Sequence, residues 1–190
     1  MNSMLNIDFV LNRGVEQILP TKQGLADLMS KRKISLYEGF DPTAPSLHIG
    51  HLIGIRKLAQ FQKLGHQVIF LIGDFTGMIG DPTDKTSARQ KLTHEQMLNN
   101  LKGYQEQVKN IIDFKGKNPV KIVFNYEWLS KLTFADVVEL AAHFTVQQMI
   151  ERDFYQERLK ANKPIYLHEF MYPLMQGYDS AHMAVDLEIG

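Results

Sequence analysis

The run QVIFLIGDF, residues 67–75, constrains the fold more than any other part of the chain. It is almost wholly apolar and rich in β-branched and aromatic side chains, as a strand covered on both faces must be. Before it lies SLYEGF, Ser35 to Phe40, which also reads as a strand. Pro42 and Pro45 turn the chain out of that strand. Ser46 is then placed to cap a helix over residues 47–64, and Gly65 to end it. Strand, helix and strand within about 40 residues form a βαβ unit, whose home is a parallel sheet with helices packed on it.

The remaining segments fit that class. NIDFVLNRGVEQILP has helical apolar spacing up to Pro20, and KQGLADLMSKRK predicts a second short helix. DPTDKTSARQKL, residues 81–92, has two apolar side chains, Ala88 and Leu92, and is expected to be a solvated, mobile loop. THEQ matches a capping box that opens a helix. VKIVFNYEW reads as a strand. TFAD reads as a capped start for a helical stretch through VVELAAHFTVQQMIERDFYQERLK, and AVDLEIG as a last strand. No linker or repeat interrupts residues 1–190, so a single domain is expected, left incomplete at its C-terminal end because the pattern stops inside that strand.

Composition removes several functions. Lys plus Arg and Asp plus Glu are equal at 21 each, so no global field draws nucleic acid or an anionic membrane. There is no cysteine, hence no disulfide framework and no thiolate metal site. No apolar run approaches the roughly 20 residues of a membrane span. The start, MNSMLNIDFVLNRG, lacks the basic-then-apolar order of a secretory signal. A cytoplasmic protein without membrane contact is the expectation.

Glycine-rich nucleotide motifs fail on spacing. Gly73, Gly77 and Gly80 do not form G-x-G-x-x-G, and DKTS lacks the P-loop glycines. His48, Gly50 and His51 are more informative. Zinc needs three or four ligands, and the neighbourhood offers two histidines without cysteine or H-E-x-x-H, so no metal is assigned. Two readings stay open: the imidazoles pack against their turn, or they donate to a phosphate. The second has the better physical basis. A helix N-terminus carries free N–H groups and partial positive charge, and Gly50 lets a ligand approach the backbone. Donors placed there stabilise charge growing on phosphate oxygens without proton transfer.

HIGH at residues 48–51, on a βαβ unit, resembles the signature of class I aminoacyl-tRNA synthetases. GFDPTAPSLHIGHL, GDFTGMIGDP, FNYEW and HEFMYPLMQGYD, in that order, resemble the bacterial-type tyrosyl family over residues 37–190, most of the chain. The resemblance implies a Rossmann-like, doubly wound α/β fold. It implies activation of L-tyrosine by ATP, brought with Mg2+, to tyrosyl-adenylate and pyrophosphate, then transfer to tRNA(Tyr) by a homodimer. His48, His51 and Thr43 would meet the ATP phosphates, and Lys85 and Arg89 the leaving pyrophosphate. Asp81, Tyr172 and Gln176 would surround the ammonium of tyrosine, and Tyr37 and Asp179 its phenol. Gly39, Asp41 and Gly50 would line the nucleotide side, with Asn125 and Trp128 supporting the wall. The apolar stretch Val137 to Ile150, with Phe144, Val146 and Met149, is the expected dimer surface.

Two residues depart from the family pattern. Glu38 stands where relatives often carry a small side chain near the ribose, and Gly54 where some contact the sugar. The family would also continue into a KMSKS loop and anticodon-binding domains, which these 190 residues do not contain. The competing readings are a tryptophanyl-tRNA synthetase, another HIGH-bearing nucleotidyltransferase, or a synthetase-derived RNA-binding module. A tryptophanyl enzyme is not expected to carry the Tyr37 and Asp179 pair, another nucleotidyltransferase has no reason to carry Tyr172, Gln176 and Asp179 on one helix face, and a module freed of catalysis need not keep His48, His51 and Lys85.

Overall fold

A computed structural model of the chain describes residues 5–80 and 92–190. In chain order the elements are α1 (Ile7–Asn12), α2 (Lys22–Lys31), β1 (Ser35–Phe40), α3 (His51–Lys63), β2 (Gln67–Ile72), α4 (Thr76–Ile79), α5 (His94–Leu101) and α6 (Tyr104–Val108). They continue with β3 (Lys121–Phe124), α7 (Tyr126–Leu129), α8 (Phe134–Ala141), α9 (Val146–Ile150), α10 (Asp153–Lys160), a 3-10 turn (Leu167–Phe170), α11 (Met171–Met183) and β4 (Leu187–Glu188). The strands form one sheet in the order β3-β2-β1-β4, and every pairing is parallel.

Alternation along the strands builds a core on each face. Leu36 and Phe40 of β1, with Val68, Phe70 and Ile72 of β2, pack with Ile55, Leu58 and Phe61 of α3 and with Val10 and Leu11 of α1. Phe40 stacks on Phe70 at 4.2 Å between ring centres. Tyr37, Ile69 and Leu71 point the other way, onto Trp128, Leu129 and Met175. Each buried Leu, Ile or Phe stabilises the fold by about 1.5–3 kcal/mol, so the sheet is held from both sides. The predicted parallel α/β architecture is observed.

Chain order runs outward from β1 through β2 to β3, then returns to the other side of β1 at β4. This reversal opens a crevice at the carboxyl ends of the strands, where such sheets hold ligands. At the opposite, amino end of the strands, Arg32 and Ser35 fasten the chain entering β4. The guanidinium pairs with Asp186, whose carboxylate also accepts from Ser35 N–H at 2.9 Å. Hydrogen bonding from Arg32 holds the Asp186 carboxyl down to about 2. Among the described residues no helix is long and apolar enough to cross a membrane.

Several boundaries differ from the sequence expectation. VKIVFNYEW is half strand and half helix: β3 ends at Phe124 and α7 begins at Tyr126. The stretch from Val137 to Lys160 is broken into α8, α9 and α10, because Thr145 and Gln148 form a further capping box inside it. The boxes at Thr93 and Thr133 are as expected. Helix α3 starts at His51, not near residue 47, and Ser46 does not cap it. Helix α1 stops at Asn12, well before Pro20.

Candidate functional site

A cavity of about 400 Å³ occupies the crevice. Tyr37, Glu38, Gly39 and Asp41 line it from β1 and its end, Gly73 and Thr76 from the end of β2, and Tyr172, Gln176 and Asp179 from α11. The sequence expectation placed six of these around tyrosine or the nucleotide: Tyr37, Gly39, Asp41, Tyr172, Gln176 and Asp179. All six face one cavity. Asp81, Lys85 and Arg89, together with most of the expected mobile loop, lie outside the described residues.

At the bottom of the cavity Asp179 is buried, and two side chains hold it. Trp128 Nε1 donates to one carboxylate oxygen at 2.7 Å and Asn125 Nδ2 to the other at 3.0 Å. Burial pushes its carboxyl up to about 6, and these donors oppose the shift. Asn125 stays in place because its N–H bonds Ile72 O at 3.0 Å and its Oδ1 accepts from Phe75 N–H at 2.9 Å. Asn125 and Trp128, expected only to support the wall, thus grip the floor carboxylate. Tyr37 and Asp179 share the wall, but the Tyr37 hydroxyl lies 2.8 Å from Ser180 Oγ, an engagement the expected phenol pair did not include. Burial raises the Tyr37 phenol above its ordinary value.

Asp41 organises the middle of the cavity. Its Oδ1 accepts from Thr76 Oγ1 at 2.7 Å and its Oδ2 from Tyr172 OH at 2.9 Å. Thr76 Oγ1 in turn accepts from Asn125 Nδ2 at 3.1 Å, so Tyr172, Asp41, Thr76, Asn125 and Asp179 form one chain of hydrogen bonds. Gly73 makes room for it: a Cβ there would lie 1.8 Å from Asp41 Oδ1 and 2.4 Å from Thr76 Oγ1. Gln176 is turned toward β4, where its amide donates to Glu188. Four carboxyls, Glu38, Asp41, Asp179 and Glu188, share the wall with one cation among the described residues, Arg152. Such a wall favours a ligand that brings an ammonium or neutral donors.

The His48–His51 turn adjoins this cavity without lining it. Thr43 N–H donates to Asp41 O at 2.8 Å, and His51 sits edge-on to Phe40. The two imidazoles stack at 3.7 Å. Gly50 N–H donates to His48 Nδ1 and His48 N–H to His51 Nδ1, each at 3.1 Å. Each Nδ1 is therefore an acceptor, and in the neutral rings the hydrogen sits on Nε2, free to donate outward. Burial lowers the His51 pKa, and the neighbouring His48 lowers it further. His48 precedes the helix, Gly50 is the N-cap, and no side chain caps the start of α3. The turn is pinned from α5 and α6: Asn100 donates to Pro42 O, Tyr104 OH to Ala44 O, and Leu47 N–H to Gln107.

Glu38 leaves β1 on the α3 side. Burial pushes its carboxyl up to about 8, and its buried Oε2 has no hydrogen-bond partner. Among the described residues no group of three or more His, Cys, Asp and Glu is placed to hold a metal ion. Sequence reasoning missed Thr76, Ser180, Arg152 and Glu188. Thr76 had a usable signal, since it follows directly on an apolar strand ending in GDF.

A family model described as tRNA synthetases class I (W and Y) matches residues 29–190. The chain belongs to this family. It is 49% identical over 189 residues to the tyrosine--tRNA ligase of Carboxydothermus hydrogenoformans, covering 95% of this chain and 44% of that protein. It is 46% identical over 190 residues to that of Xylella fastidiosa, covering 100% and 45%. The chain thus spans less than half the length of these relatives. Among solved structures, a C-terminally truncated mitochondrial tyrosyl-tRNA synthetase from Coccidioides posadasii aligns at a TM-score of 0.79 and 27% identity, over 96% of this chain and 53% of that one. The Aspergillus nidulans counterpart aligns at 0.85 and 24% identity, over 97% and 56%. The second likeness supports the fold alone.

Proposed function

We propose that the chain is the N-terminal catalytic part of a tyrosine--tRNA ligase, working in the cytoplasm. L-tyrosine would enter with its phenol toward Tyr37 and Asp179 and its ammonium toward Tyr172, Gln176 and Asp81. ATP would lie along the His48–His51 turn with its counter-ion Mg2+. A tyrosine carboxylate oxygen attacks the α-phosphorus, the α–β bridging P–O bond breaks, and pyrophosphate leaves with the electron pair. The nucleophile belongs to the substrate, so the protein's task is positioning and charge stabilisation. His48 and His51 would donate Nε2–H to the phosphates, with Thr43, Lys85 and Arg89 at the β and γ end. Transfer to tRNA(Tyr) would follow, with a KMSKS loop and anticodon-binding domains of the kind the resemblance implies.

The observation that carries this reading is the grip of Asn125 and Trp128 on the buried Asp179, which keeps an acceptor at the cavity floor for a phenolic O–H. The names of the relatives support tyrosine over tryptophan, the other amino acid of the family description. Equilibrium dialysis with radiolabelled tyrosine, phenylalanine and tryptophan tests it. Tyrosine should bind and phenylalanine be strongly rejected, because a missing hydroxyl leaves the floor unpaired. Tyrosyl-tRNA synthetase is a known example of that rejection, at ~10⁵-fold. Equal binding of tyrosine and phenylalanine would overturn the reading.

A further inference from the structure

Glu188 has no task in the reaction just described, yet it lines the cavity. Strand β4 pairs with β1 in parallel, with Glu188 opposite Tyr37. Paired positions send their side chains to the same face of a sheet, here the one that packs against α11. Ile189 N–H donates to Tyr37 O at 2.9 Å and secures that register. On α11 the carboxylate meets two side chains one helical turn apart. The Gln176 amide donates to Oε1, and Ser180 Oγ faces Oε2 at 3.4 Å.

The first of these contacts decides which way the amide faces. A carboxylate only accepts, so the NH2 end of Gln176 turns to Glu188 and the carbonyl Oε1 is presented on its other side. Tyr172, one helical turn earlier, is held in the same manner. Its hydroxyl donates to Asp41 Oδ2 at 2.9 Å, which leaves its oxygen to accept. Both residues line the cavity. Two side chains able to donate or accept are thus committed to accepting, each by a carboxylate behind it. An ammonium has three hydrogens and no lone pair, so it needs a wall of this polarity. A ligand carboxylate in the same place would find no donor in them.

We propose that Glu188 is a positioning residue for recognition of the amino group: it fixes the Gln176 amide with its carbonyl oxygen toward the ligand, so that the site takes a molecule bearing an ammonium in preference to one without it. The inference rests on the amino acid reading above and deepens it. Assignment of Gln176 to the ammonium does not by itself choose between the two ends of its amide. Without Glu188 the amide is free to turn its NH2 inward, where it would oppose the ammonium.

The experiment is equilibrium dialysis of L-tyrosine, L-phenylalanine and 3-(4-hydroxyphenyl)propionate, which is tyrosine without its amino group. The proteins are the parent chain, Glu188→Leu, Glu188→Gln, Gln176→Leu and the double variant Glu188→Leu, Gln176→Leu. The parent should prefer tyrosine to the deamino acid by more than about tenfold, the scale of a hydrogen bond to a charged group. Glu188→Leu should cut that preference about fivefold. Glu188→Gln, whose carbonyl can still accept from Gln176, should keep most of it. The double variant should lose no more than Gln176→Leu alone, because Glu188 acts through that amide. Rejection of phenylalanine should stay within about twofold of the parent's, since Asn125 and Trp128 still hold Asp179. Equal binding of tyrosine and the deamino acid by the parent, or binding of neither, would overturn the inference and needs only the unmodified chain. So would a Glu188→Leu variant that keeps the parent's preference, a Glu188→Gln variant that falls as far as Glu188→Leu, or losses that add in the double variant. Phenylalanine rejection that falls along with the amino preference would also overturn it, as the sign of a pocket that has merely loosened. Failure of the tyrosine reading would register separately, as equal binding of tyrosine and phenylalanine by the parent with the amino preference intact.

Discussion

Asp179 is pulled in two directions. Burial favours its neutral form, and the donors Trp128 and Asn125 favour the carboxylate. Removing one donor leaves a buried acceptor short of a partner, at roughly 1.5–3 kcal/mol for a bond to a charged group. Trp128→Phe keeps an aromatic side chain, though a smaller one, and loses the N–H. It should weaken tyrosine binding about tenfold or more and leave ATP binding unchanged, as dialysis with each ligand would show. Glu38 titrates on a simpler basis, because burial alone shifts it to about 8 against an ordinary 4.5. The folded state therefore binds more protons than the unfolded chain between those values. Its contribution to stability is fully present below about 4.5 and is lost as pH rises through about 8. Glu38→Gln does not titrate, so urea unfolding should show it gaining on the parent from pH 5 to pH 8.5, by up to a few kcal/mol. A constant difference across that range would mean that Glu38 titrates normally. The Tyr37 and Asp179 positions could be read from the sequence through resemblance. The partner Ser180 could not, since a hydroxyl in a helix looks the same whether it faces water or a buried phenol.

At the scale of elements, sequence reasoning went wrong where a distant side chain decides a local backbone. Ser46 looks like a helix cap, but Leu47 N–H is taken by Gln107 of α6 at 3.0 Å, and residues 42–47 are held as an open turn by Asn100 and Tyr104 as well. The helix therefore begins at His51 and leaves His48 free to fold back onto it. FNYEW reads as strand because of its aromatic residues. It turns helical because Tyr126 N–H bonds Asp74 at 3.0 Å and Trp128 swings in to Asp179. None of these partners is near in sequence. The pinned turn makes a prediction of its own. Gln107→Ala touches no proposed ligand contact, yet it frees the turn that carries His48. It should slow tyrosine-dependent pyrophosphate exchange or weaken ATP binding about five- to tenfold, the scale of one lost hydrogen bond, with tyrosine affinity unchanged. An unaltered ATP affinity and rate would mean that the turn is rigid without α6.

For the whole molecule, the two-faced apolar strands told the class of fold, and the order of motifs told which sheet. β4 lies beside β1 through a backbone ladder that the Arg32–Asp186 pairing reinforces across more than 150 residues, which no local pattern announces. The same scale holds the remaining apolar surface. Phe134 is 85% exposed and Val146 67%, Val138 and Phe144 about half, and α8 has no buried residue of its own. The sequence expectation included Met149 in this surface, but Met149 is buried and belongs to the interior. An apolar group of this kind on adjacent short helices costs free energy in water and is typical of a surface that meets another protein. We propose that a second copy of the chain covers it. Sedimentation velocity at tens of micromolar should then find a dimer. The double variant Phe134→Lys, Val138→Lys should sediment as a monomer, because two cations on each side of a symmetric contact face one another. Both positions are exposed, so the urea midpoint of the isolated subunit should move little. A parent that sediments as a monomer, or a variant that remains a dimer, would remove α8 from the interface.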